Sequence, residues 1–210
     1  MTAVLAIDLS SPRGVLAVVR DGDVLHEAAF TSERSHNARL FAPLGEALEA
    51  LGTGPARLVV GTGPGSYTGV RIAIAAAQAV ALARGWPVFG LPSLVTAAAR
   101  PYRVLGDARR GQYYVADIAG SAVERLRLLD AEAARAEVAT GGDWFTYDVL
   151  VPLGLTSVVT VRPDAVALAR LAAGWDEATV TARAARPLEP LYLQEAFITT
   201  AKKAGKQVAA

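Results

Sequence analysis

Asp8 and Asp107 each end an apolar run and open a turn: Ala3-Val-Leu-Ala-Ile7 leads into Asp8-Leu9-Ser10-Ser11, and Val104-Leu105-Gly106 into Asp107-Ala-Arg-Arg110. A carboxylate at a strand-to-turn position can serve as a catalytic acid or base, but it more often accepts hydrogen bonds from the amides of its own turn. A second candidate is the glycine-rich run Gly61-Thr-Gly63-Pro64-Gly65-Ser66-Tyr67-Thr68-Gly69. A phosphate loop needs a lysine after its glycines, and none follows; a dinucleotide fingerprint needs an acid further on at a set distance, and none stands there. A nucleophile elbow needs glycine two before and two after its serine, where Ser66 has Pro64 and Thr68. The chain has no cysteine, which excludes disulfides, thiolate metal sites and thiol nucleophiles, and its 2 histidines, His26 and His36, lack metal-ligand spacing. His26 alternates along a strand pattern and reads as a surface residue.

The elements that must position these residues are legible in the same stretch. Leu58-Val-Val60 is a short buried strand, the glycines allow a tight turn, and Ser66 or Thr68 can cap the helix that leaves it. That arrangement brings free amides and the positive end of a helix dipole to one point. The helix has almost no polar face: from Val70 to Ala83 only Arg71 and Gln78 are polar, and they lie on one stripe. Apolar all round, it is expected to be covered on all sides, either inside its own domain or against a partner.

Upstream, residues 3–8, 14–19 and 24–30 read as a three-stranded meander with an Asp21-Gly22 hairpin turn, followed by a helix over 35–51 capped by Ser35 and perturbed by Pro43. Downstream come a short strand at 88–90, a helix over 93–100, a second meander over 102–129 and a late helix over 163–173. Residues 194–210, with Lys202, Lys203 and Lys206 among alanines, read as a tail. The plan is two lobes of similar build, 1–100 and 101–193, with 194–210 beyond them.

At 52% hydrophobic and 20% charged residues, with a formal net charge of +1, the composition is globular and offers no overall basic field for nucleic acid. The arginines at 100, 103, 109 and 110 could touch phosphates, but they read more simply as solvated turns. The longest apolar run is too short for a membrane span. With no basic leader before the first strand, a soluble cytoplasmic protein is expected.

The motifs Ile7-Asp8-Leu9-Ser10, Ser35-His36 with Leu40 and Pro43, Gly63-Pro-Gly-Ser-Tyr-Thr-Gly-Val-Arg-Ile72, Ser93-Leu94, Asp107-Ala-Arg-Arg110 with Tyr113, and Pro190-Leu-Tyr-Leu193 together resemble the TsaB (YeaZ) family. The resemblance implies an α/β, actin-like ATPase (ASKHA) fold of two βββαβα-like lobes. It also implies a scaffold role in making N6-threonylcarbamoyladenosine in ANN-decoding tRNA, with TsaD-type and TsaE-type partners and tRNA met through the complex. A homodimer is expected for the chain alone, and the partner surface is expected on helices 35–51 and 69–84. That places His36, Pro43, Arg71, Ala75, Gln78 and Leu82 at or beside the seam. No catalytic residue, metal or cofactor is expected. Asp8, Ser10 and Asp107 are vestiges of a nucleotide site whose turns carry side chains where nucleotide-binding relatives have glycine, and weak ATP or ADP binding is left open. The chain departs from the family pattern at Tyr67, Val70, Ala73 and Gln194. The competing expectation is a weak nucleotide-binding protein or ATPase; a peptidase would lack a nucleophile.

Overall fold

In the computed structural model, residues 2–31 and 36–193 are described, the side chains of 36–38 excepted. Three antiparallel strands open the chain, β1 (Ala3–Asp8), β2 (Arg13–Arg20) and β3 (Asp23–Thr31). Asp21 and Gly22 turn the β2–β3 hairpin at φ 56° and 91°, the positive-φ geometry that an Asp-Gly pair tolerates. Then follow α1 (His36–Leu51), β4 (Ala56–Gly61), α2 (Tyr67–Arg84) and β5 (Val88–Leu91), which complete a sheet of order β3-β2-β1-β4-β5 with β1, β4 and β5 parallel.

The plan repeats with β6 (Tyr102–Arg109), β7 (Gln112–Ala119), β8 (Ala122–Leu129), α3 (Ala131–Ala139), β9 (Trp144–Thr146) and β10 (Val158–Thr160), in the order β10-β9-β6-β7-β8. The helices α4 (Ala165–Ala173) and α5 (Glu177–Ala184) follow in sequence but pack on the first sheet. The result is the two-lobed, mixed-sheet α/β architecture expected above.

Why the central strands are apolar throughout follows from what covers them. Every residue of β1 and β4 is buried. One face, with Leu5, Ile7, Leu58 and Val60, packs on α1 and α2; the other, with Val4, Ala6 and Val59, joins a core shared with α4 and with Val104, Ala116 and Ile118 of the second sheet. A strand covered on both faces reads as a continuous apolar run rather than an alternating one. The edge strand β3 does alternate toward solvent.

Two expectations change here. The helix placed over 93–100 is a single 3-10 turn, Ser93–Thr96. The Tyr102 hydroxyl accepts from the Ala97 amide at 3.1 Å and donates to the Leu94 carbonyl at 2.6 Å, and so takes two groups that a longer helix would have used. The helices α3 and α5 and the short strands β9 and β10 were not foreseen. Asp130, Asp164 and Asp176 cap α3, α4 and α5, each accepting from the amide three residues on at 2.8 Å, a signal available in the sequence. Ser35, Gln194 and the tail 194–210 lie outside the described residues.

Candidate partner-binding face and interlobe cleft

The glycine-rich turn proves to be a packing device. A Cβ on Gly65 would meet the Ser10 carbonyl oxygen at 2.1 Å, and one on Gly69 would meet the Leu9 carbonyl oxygen at 2.1 Å, so both glycines let the start of α2 rest on the backbone that leaves β1. Gly61 makes the same allowance for the Asp8 carboxylate. The amides expected to be free are in use: Ser66 donates to the Ser10 carbonyl at 2.6 Å, Gly63 to the Ser93 hydroxyl at 2.9 Å, and Gly69 to the Ser66 hydroxyl at 3.2 Å. Ser66 is thus the N-cap of α2, and Pro64 follows Gly63 through a cis peptide bond. Tyr67 and Thr68 begin the helix and point outward. An anion cradle needs unpaired N–H groups aimed at one spot, and this turn directs these three inward.

With its start held in this way, α2 presents two unlike faces. Val70, Ala73, Ile74, Ala77 and Ala81 are buried against the first sheet, whereas Arg71, Ala75, Gln78 and Leu82 are exposed, Leu82 at 88%. The expectation of a helix covered on all sides is therefore corrected for the single chain. Alanine and leucine stand on its outward face with no neighbour over them, so among the described residues α2 is not internal. In α1, Leu40, Leu44, Ala47 and Leu51 face the core while Phe41 is 63% exposed, and Pro43 is half-buried inside the helix. The side chain of His36, the first residue of α1, lies outside the described residues. His26, expected at the surface, is instead half-buried, because α1 packs across the β2–β3 hairpin and brings Glu46 Oε2 within 3.9 Å of its Nε2.

Between the lobes runs a cleft of about 1120 Å³, lined by the turns after β1, β4 and β6 and by residues 147–153. Asp8 does not line the cleft but is buried behind Ser10 and Ser93, which do, and accepts from the Ser10 amide at 2.8 Å; burial holds its carboxyl above the ordinary range, partly offset by the hydrogen bonds from Ser10 and Ser93. Asp8 thus fills the turn-accepting role. Asp107 does likewise, accepting from the Arg109 amide at 2.7 Å, while its own amide donates to Asp148 Oδ2 at 2.7 Å. The carboxyl of Asp148 is raised first by burial and further by the nearby Asp107 carboxylate. Arg109 and Arg110 both adopt positive φ, 70° and 56°. Nothing in their types foretold this, since the left-handed region disfavours such side chains.

Of the cleft lining, Tyr113 and Tyr192 stood in motifs quoted from the sequence, whereas Asp148, Tyr114 and Tyr147 were missed. Tyr114 lies within the second meander, and Tyr147 and Asp148 follow a three-residue strand too short to recognise. Of the arginines considered for phosphate contact, Arg100 pairs with Asp143 at 2.6 Å, Arg103 stacks 4.4 Å over Trp144, and Arg109 reaches Asp107 at 3.3 Å. Among the described residues, no three of the His, Cys, Asp and Glu side chains gather where a metal could be held.

Two mixed sheets of the same order, each flanked by helices, with a cleft between them bounded by the first strand turn of either lobe, define a protein of the actin-like ATPase fold. Solved structures agree: a Pseudomonas aeruginosa protein described as having similarity to the peptidase YeaZ superposes with a TM-score of 0.68 at 26% identity, covering 92% of this chain and 100% of that one. YeaZ from the same organism gives 0.67 at 25% with the same coverage. The profile of the TsaD family, tRNA N6-adenosine threonylcarbamoyltransferase, matches residues 24–138, more than half of the chain. The chain belongs to that family and, within it, to the TsaB (YeaZ) members. It is 34% identical over 120 residues to the tRNA threonylcarbamoyladenosine biosynthesis protein TsaB of Bacillus subtilis, covering 53% of this chain and 52% of that protein. With TsaB of Escherichia coli it shares 36% over 126 residues, 54% of each. The chain thus spans about half the length of these curated relatives in those matches.

Proposed function

We propose that this chain is a non-catalytic scaffold subunit in the formation of N6-threonylcarbamoyladenosine in tRNA, docking through α2 and α1 onto a TsaD-type subunit in the cytoplasm, with a TsaE-type ATPase completing the assembly. The relatives named above supply the pathway. The observation that carries the scaffold role is the outward face of α2, where Ala75 and Leu82 stand in solvent beside Arg71 and Gln78. Small side chains let a second helix approach closely, and the two polar ones can fix its register. Alone, the chain is expected to pair with itself through the same face, and tRNA meets the assembly rather than this subunit by itself.

The test is light scattering on size-exclusion chromatography of the chain alone and with its cognate TsaD-type protein. A homodimer that gives way to a one-to-one complex, and loss of that complex in Ala75→Glu with an unchanged melting profile, is the expected result. A monomer indifferent to the TsaD-type protein would sink the reading. The second reading, weak nucleotide binding or turnover, is motivated by the interlobe cleft, with Asp8 buried behind its Ser10 and Ser93 lining. It requires measurable ATP hydrolysis that Asp8→Asn abolishes.

A further inference from the structure

Tyr114, in β7, is a buried residue of the interlobe cleft whose polar end the fold leaves unused. Its side chain belongs to the core shared by the two sheets, and only 4% of it is exposed. The ring lies over Gly106, its cross-strand partner: a Cβ on Gly106 would stand 2.3 Å from the Tyr114 hydroxyl, so a side chain at that position would displace it from the cleft lining. The hydroxyl can both donate and accept, yet it makes no hydrogen bond among the described residues. A polar group so deeply placed ordinarily has a partner, from the protein or from outside it.

The residue after Gly106 brings in a pair of carboxyl groups. The Asp107 amide donates to Asp148 Oδ2 at 2.7 Å, which holds the Asp148 side chain beside it, and Asp148 Oδ1 takes part in no hydrogen bond among the described residues. Both carboxyl groups act on Tyr114, whose hydroxyl keeps its proton well above the ordinary range, first through burial and then through the charges of Asp148 and Asp107. Arg109 and Arg110 also line the cleft. Arg109 is turned to Asp107 at 3.3 Å, and its effect on the Asp148 carboxyl is smaller than that of the Asp107 charge. The field at the Tyr114 hydroxyl is therefore negative.

These groups define the chemistry of a ligand. Phosphate has the wrong sign here, and the first-lobe amides of Gly63, Ser66 and Gly69 are already bonded. A divalent metal ion takes six or more ligands, largely oxygens, whereas the carboxylates lining this cleft are Asp107 and Asp148. A primary ammonium carries three N–H donors on a carbon stem. Asp148 Oδ1 and the Tyr114 hydroxyl oxygen can accept two of them. The stem has Tyr147, Val149 and Leu150 to lie on, the last two 77% and 82% exposed. Tyr147 offers its ring, since its hydroxyl is spent on the Leu94 carbonyl at 3.1 Å.

We propose that the second-lobe wall of the cleft is a binding site for a small alkylammonium ligand, such as a linear diamine, with Asp148 as its counter-charge and Tyr114 as its hydrogen-bond partner. The site lies in the lobe opposite α2 and does not rest on the docking reading. It also differs from the nucleotide reading, which gives the cleft an anionic ligand.

Calorimetric titration of the full chain with butane-1,4-diamine, at an ionic strength held constant with sodium chloride, tests the site. Saturable one-to-one binding is expected. Tyr114→Phe, which keeps the ring and loses only the hydroxyl, should weaken it by about tenfold or more, as loss of a hydrogen bond to a charged group does. Asp148→Asn, which keeps an acceptor for the Asp107 amide, should abolish it. Butan-1-ol has the same stem without the charge and should not bind. Absence of saturable binding, or equal affinity in Tyr114→Phe, overturns the proposal. Butan-1-ol binding as tightly as the diamine would leave only an apolar wall and overturn it too. Displacement of the diamine by equimolar magnesium chloride would make this a metal site, and the proposal would be wrong. Should Asp148→Asn fail to fold, Tyr114→Phe and the butan-1-ol comparison decide.

Discussion

Asp8 shows how one residue can look catalytic and serve the fold. It ends the first strand and opens a turn, a position where a catalytic carboxylate could sit, yet one of its oxygens accepts the Ser10 amide and the group is buried. Burial disfavours its charged form, so its folded pKa lies above the ordinary carboxylate range. The sign follows: the folded chain holds this proton more tightly than the unfolded chain, so Asp8 costs stability at neutral pH, and the cost disappears as pH falls through the raised folded value toward the unfolded one. Asp8→Asn keeps an acceptor for the Ser10 amide without the charge. It is expected to be as stable as the natural chain or more so at pH 7, within about 1 kcal/mol, with the difference shrinking on acidification toward about pH 4. Urea titrations at several pH values measure this. A large loss at pH 7 would mean that the carboxylate is needed in ionised form, which would revive a ligand-binding role.

At the scale of one element, α2 carries the argument. Its sequence stated that almost nothing along it prefers water. Which face meets the sheet was decided by the turn before it: Gly65 and Gly69 rest on the Ser10 and Leu9 carbonyls and set the rotation of the helix about its axis. Gly69→Ala would drive a Cβ to 2.1 Å from the Leu9 carbonyl oxygen, and backbone cannot swing aside as a side chain can. Overpacking of this kind typically costs about 1–3 kcal/mol, visible as a lowered urea midpoint. Because the helix must then lift or turn, the partner affinity of a Gly69→Ala variant that still folds should fall as well. The same residue in an ordinary exposed helix would gain stability from alanine, so the sign of the effect tests whether packing is what the motif is for.

Across the whole molecule, the two lobes are joined by more than the chain between them. The helices α4 and α5 follow the second sheet in sequence but pack on the first. Arg57, buried in β4, donates to the Trp175 carbonyl at 2.7 Å and pairs with Glu177 in the first turn of α5. Beyond α5 a strap, residues 187–193, runs back to the first lobe and carries Tyr192. Arg57→Met, which keeps the apolar stem but removes the donors, is expected to cost about 1–3 kcal/mol by leaving the Trp175 carbonyl without its partner. Hydrogen exchange should then speed up selectively in α5 and the strap while the amides of β1 and β4 stay protected. Uniform loss of protection would show that Arg57 holds up the whole fold rather than this junction.

Local chemistry was legible in the sequence wherever it depends on near neighbours. The Asp21-Gly22 hairpin, the apolar central strands, a capping hydroxyl at Ser66 or Thr68, the absence of thiols and the doubled meander all follow from period, composition and turn residues acting over a few positions. The motif blocks, met in order along the chain, carried the family. Tertiary structure alone decided what depends on distant residues. Whether α2 is internal or presented rests on a face angle set by the Ser10 and Leu9 carbonyls. Whether the glycine-rich amides are available rests on acceptors from two other turns. That Tyr192 lies against Tyr67 rests on a strap pinned to Thr62, more than a hundred residues away in sequence. Propensity acts over a turn of helix or a pair of strands, whereas burial and hydrogen-bond satisfaction are settled only when the chain closes on itself.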